Sequence, residues 1–222
     1  HHARVAQGRD EGHAGAEGAD VMPRVRAASR GGAPTVVGAP PKPSKADLAA
    51  AVHKTVPDLV APDLTVLFCG INPGLYTAAI GHHFGRPGNR FWPALHGAGF
   101  TPRQFAPWEE RELLPLGYGI TNMVERTTAA ASELSPEEYV AGGERLRALV
   151  AEYRPRVVAF MGIGAYRTAF ARPRAQLGLQ PETLGTTALW ALPSPSGLNA
   201  NHQLADLVAL LGELRGWVER AR

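Results

Sequence analysis

Cysteine is nearly absent. Cys69 is the one cysteine among 222 residues, which excludes an internal disulfide framework and any zinc or iron–sulfur site ligated by several cysteines of one chain. A reducing intracellular compartment is the simplest reading. Apolar runs of membrane-spanning length are also missing, and no charged-then-apolar signal segment opens the sequence, so neither a span nor a leader is expected. The opening His1-His2 carries no fold argument. A charge of one sign is lacking too. Seven basic residues face four acidic ones before residue 47, and sixteen face sixteen after it, so the whole net charge of +3 sits in the first segment. A globally basic nucleic-acid-binding core is therefore not indicated, and contact with DNA or RNA must come from local patches and loop geometry.

Several fingerprints are missing as well. Gly162-Ile163-Gly164 lacks the third glycine of a dinucleotide site and reads as a packing turn. No Gly-Lys-Ser/Thr follows Gly70–Gly74, so that turn is no phosphate loop. Neither Ser194 nor Ser196 sits in a G-x-S-x-G elbow, which argues against a serine hydrolase, the reading that would make one of them a nucleophile.

What remains is a 45% hydrophobic sequence long enough for one sizeable core plus a tail. Residues 1–45 are rich in Gly, Ala, Arg and Pro and read as a disordered basic tail, with or without a role in tracking DNA. Residues 46–222 read as one domain. Ser44–Asp47 looks like a helix start. Strands are predicted over Thr65–Cys69, Tyr118–Thr121, Arg156–Met161 and Thr187–Leu192. Helices are predicted over Asn89–Ala98, from Ser135 through about Tyr153, near Ala165–Ala171, and from about Asn201 onward. The last would place Leu204, Leu207, Val208, Leu211, Leu214 and Val218 on one face.

Strand–helix alternation predicts an α/β fold, three-layer α/β/α with a central, mainly parallel four-stranded sheet. In such sheets ligands bind at the carboxyl ends of the strands. The loops there begin at Asn72, Asn122, Gly162 and Pro193. Asn72, between Gly70 and Pro73-Gly74, is a carboxamide fixed at the end of a buried strand. Pro193–Asn199 suits phosphate contact through hydroxyls and backbone N–H groups. His82-His83 lacks an acidic partner for a metal site and reads as packing or hydrogen bonding. Glu125-Arg126 reads as an ion pair bracing its own loop, and Arg86 and Arg90 as surface cations or phosphate contacts.

Five separated stretches, in order, carry a resemblance. Gly70-Ile71-Asn72-Pro73-Gly74-Leu75 is followed by His82-His83-Phe84 and Pro87-Gly88-Asn89-Arg90-Phe91-Trp92. Then come Thr121-Asn122-Met123-Val124-Glu125-Arg126-Thr127-Thr128 and Leu192-Pro193-Ser194-Pro195-Ser196-Gly197-Leu198. From about residue 45 to the end, the sequence resembles the mismatch-specific uracil-DNA and thymine-DNA glycosylase family. That resemblance implies a DNA repair enzyme that flips mispaired uracil from the duplex and hydrolyses its N-glycosidic bond. Thymine and other damaged pyrimidines are further candidate substrates.

By the same resemblance Asn72 holds the attacking water, and Phe84 stacks on the flipped base. Ile71, Gly74, Thr77 and His83 belong to the base pocket. Gly197, Leu198 and Asn199 form the wedge, with Leu198 at its tip, and Ser194 and Ser196 contact phosphate or water. Asn89 and Arg90 brace the site. His83, the 122–128 run and Ser194 resemble the thymine-processing branch, whereas Gly197-Leu198 resembles the bacterial uracil branch. Thr77 stands where the branches carry serine or alanine, so its β-branch would crowd a thymine methyl and favour uracil.

No lysine lies in the two motif loops, so a monofunctional enzyme is expected. No cofactor, metal or membrane is implied, and a monomer acting on double-stranded DNA with mispaired uracil or thymine is expected. Its place would be the bacterial cytoplasm at the nucleoid, or the eukaryotic nucleus. The competing reading is a catalytically weak protein that binds and marks mismatches.

Overall fold

The computed structural model describes residues 38–221. Most of the segment read as a tail, residues 1–37, lies outside the described residues.

Ser44 caps the first helix, α1 (Lys45–Ala50), and a capping box with Asp47 completes the cap. The elements that follow are β1 (Val66–Gly70), α2 (Leu75–Ile80), α3 (Phe91–Gly97), β2 (Tyr118–Asn122), α4 (Pro136–Tyr153), β3 (Val157–Met161), α5 (Ile163–Ala169), β4 (Gly178–Leu184), β5 (Thr187–Leu192) and α6 (Leu204–Arg220). A ten-residue 3-10 segment, Pro107–Leu116, precedes β2.

The sheet has five strands in the order β2-β1-β3-β5-β4. β1 pairs in parallel with β2 and β3, and β3 with β5. β4 joins β5 as an antiparallel edge. The fifth strand is a correction to the expected four. Gln180, Pro181, Glu182 and Thr183 give it a polar, proline-broken composition that hides it from hydrophobic patterning. Proline is tolerated there because an edge strand has one side free of ladder bonds, and the register shifts between Leu179 and Thr183.

β1 is buried along its whole length and alternates between two cores. Val66 and Phe68 face Phe91, Trp92, Leu207 and Leu211 of α3 and α6. Leu67 and Cys69 face Leu146 and Val150 of α4, Tyr166 of α5 and Phe170 just after it. Helices on both faces are what a parallel, doubly buried strand requires. Burial pushes the Cys69 thiol up to about 12, so it behaves as a packing residue rather than a nucleophile.

Two helix ends differ from expectation. α6 begins at Leu204, capped by the Gln203 region, and Leu204 is exposed, outside the apolar stripe of Leu207, Leu211, Leu214 and Val218. α3 begins at Phe91, whose N–H is held by Asn89 Oδ1 at 2.9 Å. Among the described residues no helix is long and apolar enough to cross a membrane.

Candidate active site

Because β1, β2, β3 and β5 run in parallel, their carboxyl ends open onto one edge of the sheet. Gly70 lies opposite Asn122 and Met161 opposite Leu192. A cavity of about 380 Å³ sits there, bordered by the β1 loop, the Thr77–Asn89 segment, the loop after β2 and the Ser194–Leu198 loop. This is within the size range of small-ligand sites.

The β1 and β2 loops stay joined beyond the sheet. Met123 N–H bonds Gly70 O, Val124 N–H bonds Ile71 O, and Thr128 N–H bonds Pro73 O at 3.1 Å. This places Asn72 beside Thr128. Asn72 Nδ2 donates to Arg126 O at 2.9 Å and Thr128 Oγ1 at 2.8 Å, with a longer contact of 3.3 Å to Pro73 O. Carbonyls only accept, and the Thr128 hydroxyl spends its proton on Ala130 O at 2.8 Å. The amide orientation is thereby forced: nitrogen toward the β2 loop, oxygen left without a protein donor among the described residues. Asn72 Oδ1 is an acceptor at the cavity wall.

Phe84 adopts φ +51, which costs a non-glycine residue on the order of 1 kcal/mol. Its neighbours over-determine it. His83 N–H bonds Glu110 Oε2 at 2.8 Å, and His82 Nδ1 pairs with Glu110 Oε1 at 3.1 Å. Trp92 Nε1 donates to His83 O, and Gly85 N–H to Thr77 Oγ1 at 3.0 Å. His83 Nε2 lies 2.8 Å from Pro57 O, which can only accept, so Nε2 carries the proton. The Phe84 ring is thus stacked on Phe91, with centroids 4.0 Å apart at 23°, and borders the cavity. The histidine pair is an anchor for this turn, and its acidic partner is Glu110.

In the sequence Asn122 marks only the start of a polar loop. It is the last residue of β2, only 7% exposed, and it lines the cavity. Its carboxamide has no protein hydrogen-bond partner among the described residues. A buried amide left so is poised for a ligand. Gly70 makes room for it, since a Cβ there would lie 2.6 Å from Asn122 Oδ1 and 3.2 Å from the Phe84 ring. A polar residue closing an otherwise buried strand was the available signal.

The Asn122 backbone is fastened from below by Arg145, which binds its carbonyl and reaches Asp58 Oδ2 at 3.2 Å and Glu125 Oε1 at 3.3 Å. The expected Glu125–Arg126 pair is therefore corrected. The two neighbours point apart, Glu125 to Arg145 and Arg126 to Glu138 on α4 at 2.7 Å. The Arg126 guanidinium holds the Glu138 carboxyl down to about 2, helped by the Ser135 N–H.

Leu198 sits at the tip of the β5 loop and is 78% exposed, the highest among the large apolar side chains described. Arg90 supports it from beneath, donating to Asn199 O at 3.0 Å and His202 O at 2.8 Å, with longer contacts to Ser196 O and Gly197 O. Gly197 packs so tightly on Gly88 that a Cβ would fall 2.7 Å from its carbonyl. Arg90 is consumed as a brace, while Arg86 is exposed at the cavity mouth with no side-chain partner among the described residues.

Ile71, Gly74, Thr77, His83, Ser194, Ser196 and Leu198 all border the cavity, whereas Gly197 borders the adjoining cleft toward Arg86. Ser194 Oγ and Ser196 Oγ accept backbone N–H bonds from Ser196 and Leu198. Asn199 turns inward, its Nδ2 on Ser194 O at 3.0 Å. Among the described residues no acidic one borders the cavity, and no cluster of three or more His, Cys, Asp or Glu could hold a metal.

The family model described as the uracil DNA glycosylase superfamily matches residues 57–215. The chain belongs to that superfamily. Membership brings a DNA repair activity of uracil-DNA glycosylase type, with DNA as the partner and hydrolysis of an N-glycosidic bond as the reaction.

Proposed function

We propose that this protein is a mismatch-specific, monofunctional glycosylase that flips uracil paired with guanine into the cavity and releases it, leaving an abasic site. The observation that carries this reading is the forced orientation of Asn72, which leaves Oδ1 as the acceptor for a water.

A carboxamide cannot take a proton at neutral pH, and among the described residues no carboxylate borders the cavity. Asn72 therefore positions water without activating it. Such a nucleophile suffices only when the bond breaks first. The C1′–N1 electron pair leaves with the base, water adds to the oxocarbenium-like sugar, and its proton passes to bulk solvent. Rate then depends on flipping, positioning and stabilisation of the departing base anion. The lining favours an anion: among the described residues it includes the Arg86 guanidinium and no acidic side chain.

In this reading the flipped base stacks on Phe84 and extends the Phe84–Phe91 stack. Asn122 offers a donor and an acceptor, complementing O4 and N3–H of the pyrimidine. Thymine carries the same pair, so Asn122 does not separate it from uracil. The methyl must, and Thr77 borders that part of the cavity in the reading drawn from the sequence. Leu198 fills the vacated stack as an apolar wedge. No lysine borders the cavity, which leaves no amine for a Schiff-base lyase step.

A panel of single-lesion oligonucleotides, opposite G, opposite A and single-stranded, scored for alkali-sensitive cleavage, tests the assignment. Uracil release fastest opposite G is expected. Binding without release from any pyrimidine lesion would instead establish the mismatch-binding reading.

A further inference from the structure

Behind the turn that carries Phe84 lies a second, larger groove of about 740 Å³. Phe84, Arg86 and Asn89 border both concavities, so the groove opens beside the lesion cavity. Lys42, Tyr76 and Trp108 also line it, and among the described residues no acidic one does. The polar ends of these side chains are unspent. Lys42 and Arg86 are exposed and, among the described residues, have no ion pair or side-chain hydrogen bond. The Tyr76 hydroxyl and Trp108 indole N–H have no partner there either, and neither ring packs on another. Cations nearby behave otherwise: Arg103 bonds Glu109 at 2.8 Å and Glu112 at 2.7 Å.

A concavity with aromatic faces and, among the described residues, two free cations, two free donors and no acid is complementary to something flat, rich in acceptors and anionic. An unpaired nucleotide has that chemistry. Bases within a duplex hide their faces in the stack, whereas a single strand offers them. We propose that the groove holds an unpaired nucleotide of a single DNA strand, next to the one occupying the lesion cavity. The base lies against Trp108, and its phosphates lie toward Lys42 and Arg86. The placement beside a flipped base rests on the glycosylase reading; the affinity of the groove for a single strand does not.

Binding of uracil-free oligothymidylate and of undamaged duplex, followed by fluorescence anisotropy at several salt concentrations, tests this. Trp108→Ala should weaken oligothymidylate binding about tenfold, the scale of one lost base–aromatic stack. Trp108→Phe should restore it, because a phenyl ring still stacks. Lys42→Ala should reduce the salt slope by about 0.7, the value for one phosphate contact on a single strand. Duplex binding should stay within about twofold for both variants, since paired bases do not reach the groove.

Oligothymidylate bound by Trp108→Ala as tightly as by wild type would overturn the proposal. So would equal losses on single strand and duplex. Because the probe contains no uracil, a protein that releases no base could still show the groove effect. An active glycosylase could equally lack it, so the two readings fail separately.

Discussion

Asn72 Nδ2 donates to Thr128 Oγ1 across 2.8 Å, joining two residues 56 positions apart. The Thr128 proton is committed to Ala130 O, so the hydroxyl can only accept, and the Asn72 oxygen is turned toward the cavity. The loop after β2 thereby sets the chemistry of the loop after β1.

Thr128→Ala should free the Asn72 amide to rotate and lower single-turnover uracil release about tenfold, the worth of one well-placed hydrogen bond in the barrier. Thr128→Ser keeps the acceptor and should retain most of the rate. Equal losses for both variants would show that the Thr128 methyl, not its hydroxyl, matters.

Leu198→Ala should slow release from a G·U duplex about tenfold, because no apolar side chain then fills the vacated stack. Release from single-stranded uracil DNA should be unchanged, since no base pair has to be replaced. Parallel losses on both substrates would remove Leu198 from the wedge role.

Discrimination by Thr77 needs a particular pair of variants. Its hydroxyl accepts the Gly85 N–H, so Thr77→Ala both relieves crowding and strands a donor in the turn that holds Phe84. Thr77→Ser removes only the methyl. Relative to G·U, the G·T rate should rise about threefold or more in Thr77→Ser, as one methyl is worth ~0.8 kcal/mol. An unchanged G·T to G·U ratio would end the steric explanation.

Acid tests the Arg126–Glu138 pair, which fastens the loop that holds Asn72. The folded Glu138 carboxyl, held down chiefly by the Arg126 guanidinium, is lowered to about 2 from its ordinary value of 4.5. Stabilisation from the pair is therefore complete above the ordinary value and lost as pH falls toward 2. Melting curves of wild type and Glu138→Gln should differ at neutral pH and converge in strong acid. A gap undiminished in strong acid would assign the difference to packing instead.

Much of the site was legible in local sequence because its parts follow strand ends. β1 is a run of buried apolar residues closed by Gly70, and the Asn72 turn and the Leu198 loop announce themselves by proline and glycine. What escaped depends on partners distant in sequence. Glu110 anchors His82 and His83 from 28 and 27 residues away. Arg145 on α4 reaches the Asn122 carbonyl from 23 residues away, and Asn122 itself becomes visible only once β2 lies in register with β1. β4 was lost for a different reason. An edge strand needs little apolar surface and tolerates Pro181, so it leaves no hydrophobic period to find.

The most direct measurement compares wild type and Asn72→Ala on one G·U duplex, reading single-turnover uracil release and equilibrium binding together. Release should fall by about a hundredfold or more, as for loss of a group that positions the reacting water, with affinity held within about twofold. Undiminished release by Asn72→Ala would contradict the assignment of Asn72 as the residue that holds the water.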